Sequence, residues 1–184
     1  MKRALISVAV LVTLQGAMVG VWFMVERSRK PDHKTEPLRN TGGVQTIKMN
    51  RLAPDFRYQL PNGAIRRFSS LKGRPVIVHL WATWCPPCRK ELPALLAFAK
   101  KHKVSLLAVS VDDSWKQIRS FLGPGAKEPI VLAQASTAMT KSYAVKVFPV
   151  TYVVDRRGYL ALRFDGARNW RDGFFLKSVM AGMK

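Results

Sequence analysis

Apolar and polar positions along this chain change period several times, and each change marks an element. Pro75-Val-Ile-Val-His-Leu-Trp81 is an apolar run interrupted by one imidazole, the pattern of a strand buried on both faces. A helical period follows, predicting a helix over Pro86 to Lys101. Pro86 suits its first position, where a missing N–H costs nothing, and Pro93 should kink it. Val104 to Val111 reads as a strand, and Ser114 as the cap of a helix running to Leu122. Gly123-Pro-Gly125 breaks the chain. Glu128 to Ala133 then reads as a short strand, Ser136 to Tyr143 as a helix and Val150 to Val154 as a strand. Tyr159 to Phe164 pairs back across the Arg157-Gly158 turn, and Trp170 to Met183 closes as a helix. Ahead of all these, Asp55 to Leu60 and Ala64 to Phe68 form a hairpin turning at Pro61-Asn62-Gly63. Strand–helix–strand units ending in an antiparallel hairpin describe an α/β domain, a mixed sheet flanked by helices.

The N-terminal quarter has a different texture. Lys2 and Arg3 precede residues 4–25, 22 positions without a charge. As a helix they would span roughly 33 Å, enough for a hydrocarbon core of about 30 Å. The segment reads as a membrane anchor over 1–25, with a cleaved signal peptide as the rival. Residues 26–48 are polar, hold Pro31, Pro37, Gly42 and Gly43, and read as a flexible tether to a domain over 49–184.

Charge narrows the partners. The net charge of +20 comes from 31 Lys and Arg against 11 Asp and Glu, spread over many segments. Such a surface favours acidic partners or anionic headgroups. No basic run with interleaved aromatics points to nucleic acid.

The chemistry sits in Trp81-Ala-Thr-Trp-Cys-Pro-Pro-Cys-Arg-Lys-Glu91, which holds both cysteines, Cys85 and Cys88. A C-x-x-C pair where a strand passes into a helix puts a dithiol at a helix N-terminus. Unpaired N–H groups and the dipole there favour a thiolate. Thiol–disulfide exchange is the chemistry this suits. Structural zinc would need four ligands, and only His33, His79 and His102 accompany the two cysteines. A structural disulfide closing two residues would constrain the unfolded chain little. A dithiol delivering Cu(I) is the alternative from another class.

Leu52-Ala-Pro-Asp-Phe56, Leu71-Lys-Gly-Arg-Pro75, Trp81 to Cys88 and Val147-Phe-Pro-Val-Thr151 occur in that order. Over about residues 50–184 the chain resembles the membrane-anchored, thioredoxin-like oxidoreductases of the TlpA and ResA kind. The resemblance implies a thioredoxin-like fold with an N-terminal hairpin extension and no cofactor or metal. It implies an extracytoplasmic domain, although Arg27, Arg29, Lys30 and Lys34 after the span would place it inside by a positive-inside count. It implies a membrane dithiol reductase as electron donor and oxidised client proteins as acceptors, such as apocytochromes or copper-site assembly factors.

Roles follow residue by residue. Cys85, at the helix start, is expected to attack, and Cys88, one turn on, to resolve the mixed disulfide. Pro149 matches the family's cis-proline, which would present backbone to an extended client; Phe148 before it is bulkier than usual there. Trp84 and Phe148 are expected at the substrate rim. Glu91 matches a glutamate that assists the dithiol, and it reads as a proton acceptor for Cys88 or as a surface acid favoured by the helix dipole. His79 stands where thioredoxins carry a buried acid. By period two it shares a face with Ile77 and Trp81, and it reads as a proton acceptor near pH 6–7 or as a structural core histidine.

Overall fold

In the computed structural model the chain divides into units 1–34 and 35–184. The structure describes residues 37–38 and 46–183, without positions 113 and 128. The uncharged span 4–25 lies outside the described residues, and no helix among those described is long and apolar enough to cross a membrane.

Among the described residues, nine strands form one sheet. In chain order they are β1 (Pro37–Leu38), β2 (Thr46–Leu52), β3 (Arg57–Gln59), β4 (Ile65–Arg67), β5 (Val76–Trp81), β6 (Ser105–Ser110), β7 (Ile130–Ala133), β8 (Val150–Val154) and β9 (Tyr159–Asp165). Their order across the sheet is β1-β2-β9-β8-β5-β6-β7-β3-β4. The helices are α1 (Pro86–His102), α2 (Trp115–Leu122), α3 (Ser136–Ser142) and α4 (Gly173–Ala181). β5, all six residues buried, lies parallel to β6 and antiparallel to β8. Burial on both faces is why its sequence is a continuous apolar run.

Two apolar clusters use opposite faces of β5. Ile77 packs with Leu95, Phe98, Val153, Phe164 and Val179, joining the sheet to α1 and α4. Val76, Val78 and Leu80 pack with Val109, Val131, Tyr143 and Tyr152 on the other side. A third cluster, around Trp81, Cys85, Cys88, Leu92 and Ile118, closes the end of the sheet where β5 passes into α1.

The hairpin turns where expected: Gln59 pairs with Ile65, and Leu60 N–H donates to Ala64 O at 2.8 Å. α1 runs through Pro93 and ends on Lys103 in the left-handed region at φ 53°. The sheet reaches further toward the N-terminus than the sequence pattern showed. β2 takes residues 46–48 from the stretch read as tether and pairs with β9, and Pro37–Leu38 pairs with β2. Ile47 and Met49 are half-buried between exposed Lys48 and Asn50, a period-two signal too short to stand out among polar neighbours. At the other end α4 starts at Gly173 rather than Trp170. The Asp172 carboxylate accepts from Phe175 N–H at 3.1 Å, a capping bond that fixes the helix start.

Candidate active site

Cys85 is the N-cap of α1 and is joined to Cys88 by a disulfide. Its backbone is extended, and its sulfur accepts from Cys88 N–H at 3.3 Å. Pro86 and Pro87 open the helix without donors of their own, so Cys88 N–H is the first free amide facing the sulfur. Cys85 is 4% exposed and Cys88 0%, which makes Cys85 the sulfur a client can reach.

Trp84, beside Cys85, stands 62% exposed and meets Phe148 edge to face, ring centroids 5.5 Å apart. The Phe148–Pro149 peptide bond is cis, and Pro149 leads straight into β8. With exposed Val147, these residues give the dithiol an apolar rim. Trp81, by contrast, is fully buried packing.

The turn before Cys85 is tied from β6 and the loop after it. The Asp112 carboxylate accepts from Thr83 N–H at 3.0 Å and from Thr83 Oγ1–H at 2.6 Å, and Ser110 Oγ–H donates to it as well. Val111 N–H closes the same junction on Trp81 O at 2.9 Å. Asp112 was not singled out in the sequence. Its place at the carboxyl end of a parallel strand, where open α/β sheets build their sites, was the available signal.

Glu91 is no surface acid. It is 4% exposed, and its Oε1 accepts from Trp170 Nε1–H at 2.5 Å while Oε2 is buried with no hydrogen-bond partner. Burial pushes its carboxyl up to about 7, against the opposing pull of the Trp170 bond and the backbone and guanidinium of Arg168. Trp170 and Arg168 lie in the β9–α4 connection, 79 and 77 positions away in sequence, and no local pattern announced them.

His79 lies on the β5 face between Ile77 and Trp81, the face that packs on α1. Its Nδ1 is 2.9 Å from Thr151 Oγ1, its partner across the β5–β8 register, and its Nε2 is buried with no partner. Burial lowers its pKa to about 3. The ring is therefore neutral at pH 6–7, but the desolvation that keeps it neutral also removes the basicity a proton acceptor needs. A carboxyl that titrates near 7 matches a thiol's proton better than an imidazole lowered to about 3.

Among the described residues, no three His, Cys, Asp or Glu side chains are grouped so as to hold a metal ion.

Comparison with known proteins agrees with this geometry. Residues 49–163 match the AhpC/TSA family. The chain is 32% identical over 120 residues to the thioredoxin-like protein YneN of Bacillus subtilis, covering 62% of this chain and 69% of that one. It is 31% identical over 130 residues to the thiol-disulfide oxidoreductase ResA of Geobacillus kaustophilus, covering 68% and 74%. Among solved structures, a candidate thiol:disulfide interchange protein DsbE from Chlorobium tepidum superposes with TM-score 0.64 at 26% identity, over 74% of this chain and 98% of that one. With its dithiol at the start of α1 and a cis-proline opposite, the chain belongs to the AhpC/TSA family, among the thioredoxin-like thiol–disulfide oxidoreductases of the TlpA/ResA kind.

Proposed function

We propose that this protein is a membrane-tethered, extracytoplasmic reductase of client-protein disulfides, with Glu91 as the proton acceptor for its buried thiol. The observation that carries the reading is the pairing of a Cys85/Cys88 dithiol at a helix start with a buried carboxyl, three residues on, that titrates near neutrality. The uncharged span 4–25 supports the tether, and relatives such as ResA support the redox chemistry.

The cycle starts from the reduced protein. The Cys85 thiolate attacks one sulfur of a client disulfide; the client S–S bond breaks, and the departing client sulfur takes up a proton. Cys85 and the client are now joined. Cys88 gives its proton to Glu91, directly or through water, and its thiolate attacks Cys85 Sγ. The second client thiol leaves reduced, and two electrons have passed to it from the dithiol. The Cys85–Cys88 disulfide that results is the state of this structure. A dithiol donor in the membrane returns two electrons and two protons.

The rim fits a polypeptide client. Trp84, Val147 and Phe148 offer apolar contact beside Cys85, and the backbone at Pro149 can pair with an extended segment. The direction of electron flow is tested by equilibrating the full chain, in detergent, with glutathione and thioredoxin standards. A potential close to thioredoxin's, about −270 mV, is expected; one near −120 mV would make the protein an oxidant and reverse the reading.

A further inference from the structure

One feature of the dithiol's surroundings is not used by the exchange chemistry. On the side where α1 faces α2, an open groove of about 660 Å³ is lined by Thr83, Arg89, Lys116, Gln117, Ser120 and Phe121. Phe121 of its wall packs on the cluster that holds Cys85 and Cys88, and Arg89 N–H donates to Cys85 O at 3.1 Å, which sets the groove next to the dithiol. Two cations line the groove and among the described residues no acid does; the nearby Asp112 carboxylate is buried and bonded to Thr83 and Ser110. The Arg89 guanidinium lies 4.5 Å from the centroid of the Phe121 ring, which fixes its position over the groove wall. The ion pairs Arg67–Asp55, Arg157–Asp155 and Arg163–Asp165 lie elsewhere and involve neither Arg89 nor Lys116. Lys90, two residues after Cys88, and Lys146, two before Phe148, are exposed and carry the same sign.

From this geometry we infer that the groove is a specificity subsite for acidic side chains, selecting client disulfides whose cysteines are flanked by Asp or Glu. The inference rests on the reductase reading and deepens it. The two sides of Cys85 then have different tasks. Trp84 and Phe148 give apolar contact to any extended client, whereas Arg89 and Lys116 discriminate by charge. A patch of one sign beside a reacting centre raises the encounter rate of oppositely charged partners and repels like-charged ones, and salt weakens both effects.

The test uses the full chain in detergent and three short peptides, each closed by one disulfide and flanked by two Glu, two Gln or two Lys. Reduction is followed at low ionic strength and again at high salt. The unaltered protein, reduced beforehand and freed of reductant, should reduce the Glu peptide roughly tenfold or more faster, in second-order rate constant for a single turnover, than the Lys peptide, and the ratio should shrink in high salt. In the pair Arg89→Glu with Lys116→Glu the ratio should fall to about one or below, and Arg89→Gln with Lys116→Gln should give an intermediate value. A ratio cancels any change these substitutions make to the dithiol's own reactivity. The control, Arg66→Glu with Lys72→Glu, makes the same net change at exposed positions away from the dithiol and should leave the ratio within about twofold. Equal ratios in the groove and control variants would overturn the subsite and leave only attraction to a chain of net charge +20. Efficient reduction of all three peptides at one rate would also overturn it while leaving the reductase reading intact. Failure to reduce even the Gln peptide would bring down both.

Discussion

Glu91 on the helix and His79 on the strand beneath it are two answers to one physical problem. Each is a buried ionisable side chain close in sequence to the dithiol, Glu91 three residues after Cys88 and His79 six before Cys85; each has one polar atom bonded, and each has one left bare. Burial favours the neutral form of both, but neutrality means opposite things for an acid and a base. The carboxyl is driven up to about 7, into the range where a thiol-handling protein works, and the imidazole is driven down to about 3, out of it. The same desolvation therefore leaves one group titrating near neutrality, as the proposed role requires, and holds the other neutral. Trp170 and the Arg168 guanidinium temper the shift at Glu91, while at His79 burial acts alone.

The largest effect that would break this contrast lies at His79. Between about pH 6.5 and 3 the unfolded chain binds a proton there that the folded chain refuses, so stability must fall as pH falls through that window. His79→Leu should remove that loss, which is on the order of 5 kcal/mol when fully developed. Denaturant titrations at a series of acid pH values would show it as a flatter curve. An unchanged acid slope would mean that the imidazole is solvated enough to titrate normally.

Glu91 should give the opposite slope. From about pH 4.5 to 7 the folded chain keeps a proton that the unfolded chain has released, so stability falls as pH rises. Replacing it, Glu91→Gln, should flatten that limb by about 3 kcal/mol and leave the acid limb alone. Smaller again is the pH-dependent effect of Trp170→Phe, which removes the donor to Oε1 and puts a smaller ring in the buried place of the indole. It should cost about 1–3 kcal/mol above pH 7, where the carboxylate needs that bond, and move Glu91's midpoint upward. If the midpoint moved down, the indole would be doing something other than stabilising the charged form.

This contrast also marks how far the sequence could be read. The dithiol, the strand before it and the helix after it were legible because each is a local pattern: a six-residue apolar run, two spaced cysteines and a proline suited to a helix start. The facing of His79 was legible too, since period two fixes it within β5. Its basicity was not, because that depends on how completely neighbouring layers exclude water. Glu91 was equally visible as a position and equally hidden as an environment. Trp170 lies 79 residues from it and arrives only when β9 and α4 fold back over α1. Asp112 and Thr151 belong with these, since Asp112 ties the turn at Thr83, 29 positions earlier, and Thr151 meets His79 across the β5–β8 pairing. β2 escaped for a different reason. Its half-buried Ile47 and Met49 are too few to outweigh a polar, glycine-containing approach, and its pairing partner β9 lies more than a hundred residues downstream.

The most direct test of the account is the pH dependence of the resolving step. A mixed disulfide preformed on Cys85 of the full chain with a neutral thiol is released by Cys88 in a single turnover, followed from pH 5 to 9. An inflection near pH 7 is expected in the unaltered protein and in His79→Leu. In Glu91→Gln that inflection should be lost, with a rate at pH 8 lower by a factor of about 10²–10⁴. An inflection that survives Glu91→Gln and disappears in His79→Leu would contradict it, and would return the proton to the imidazole.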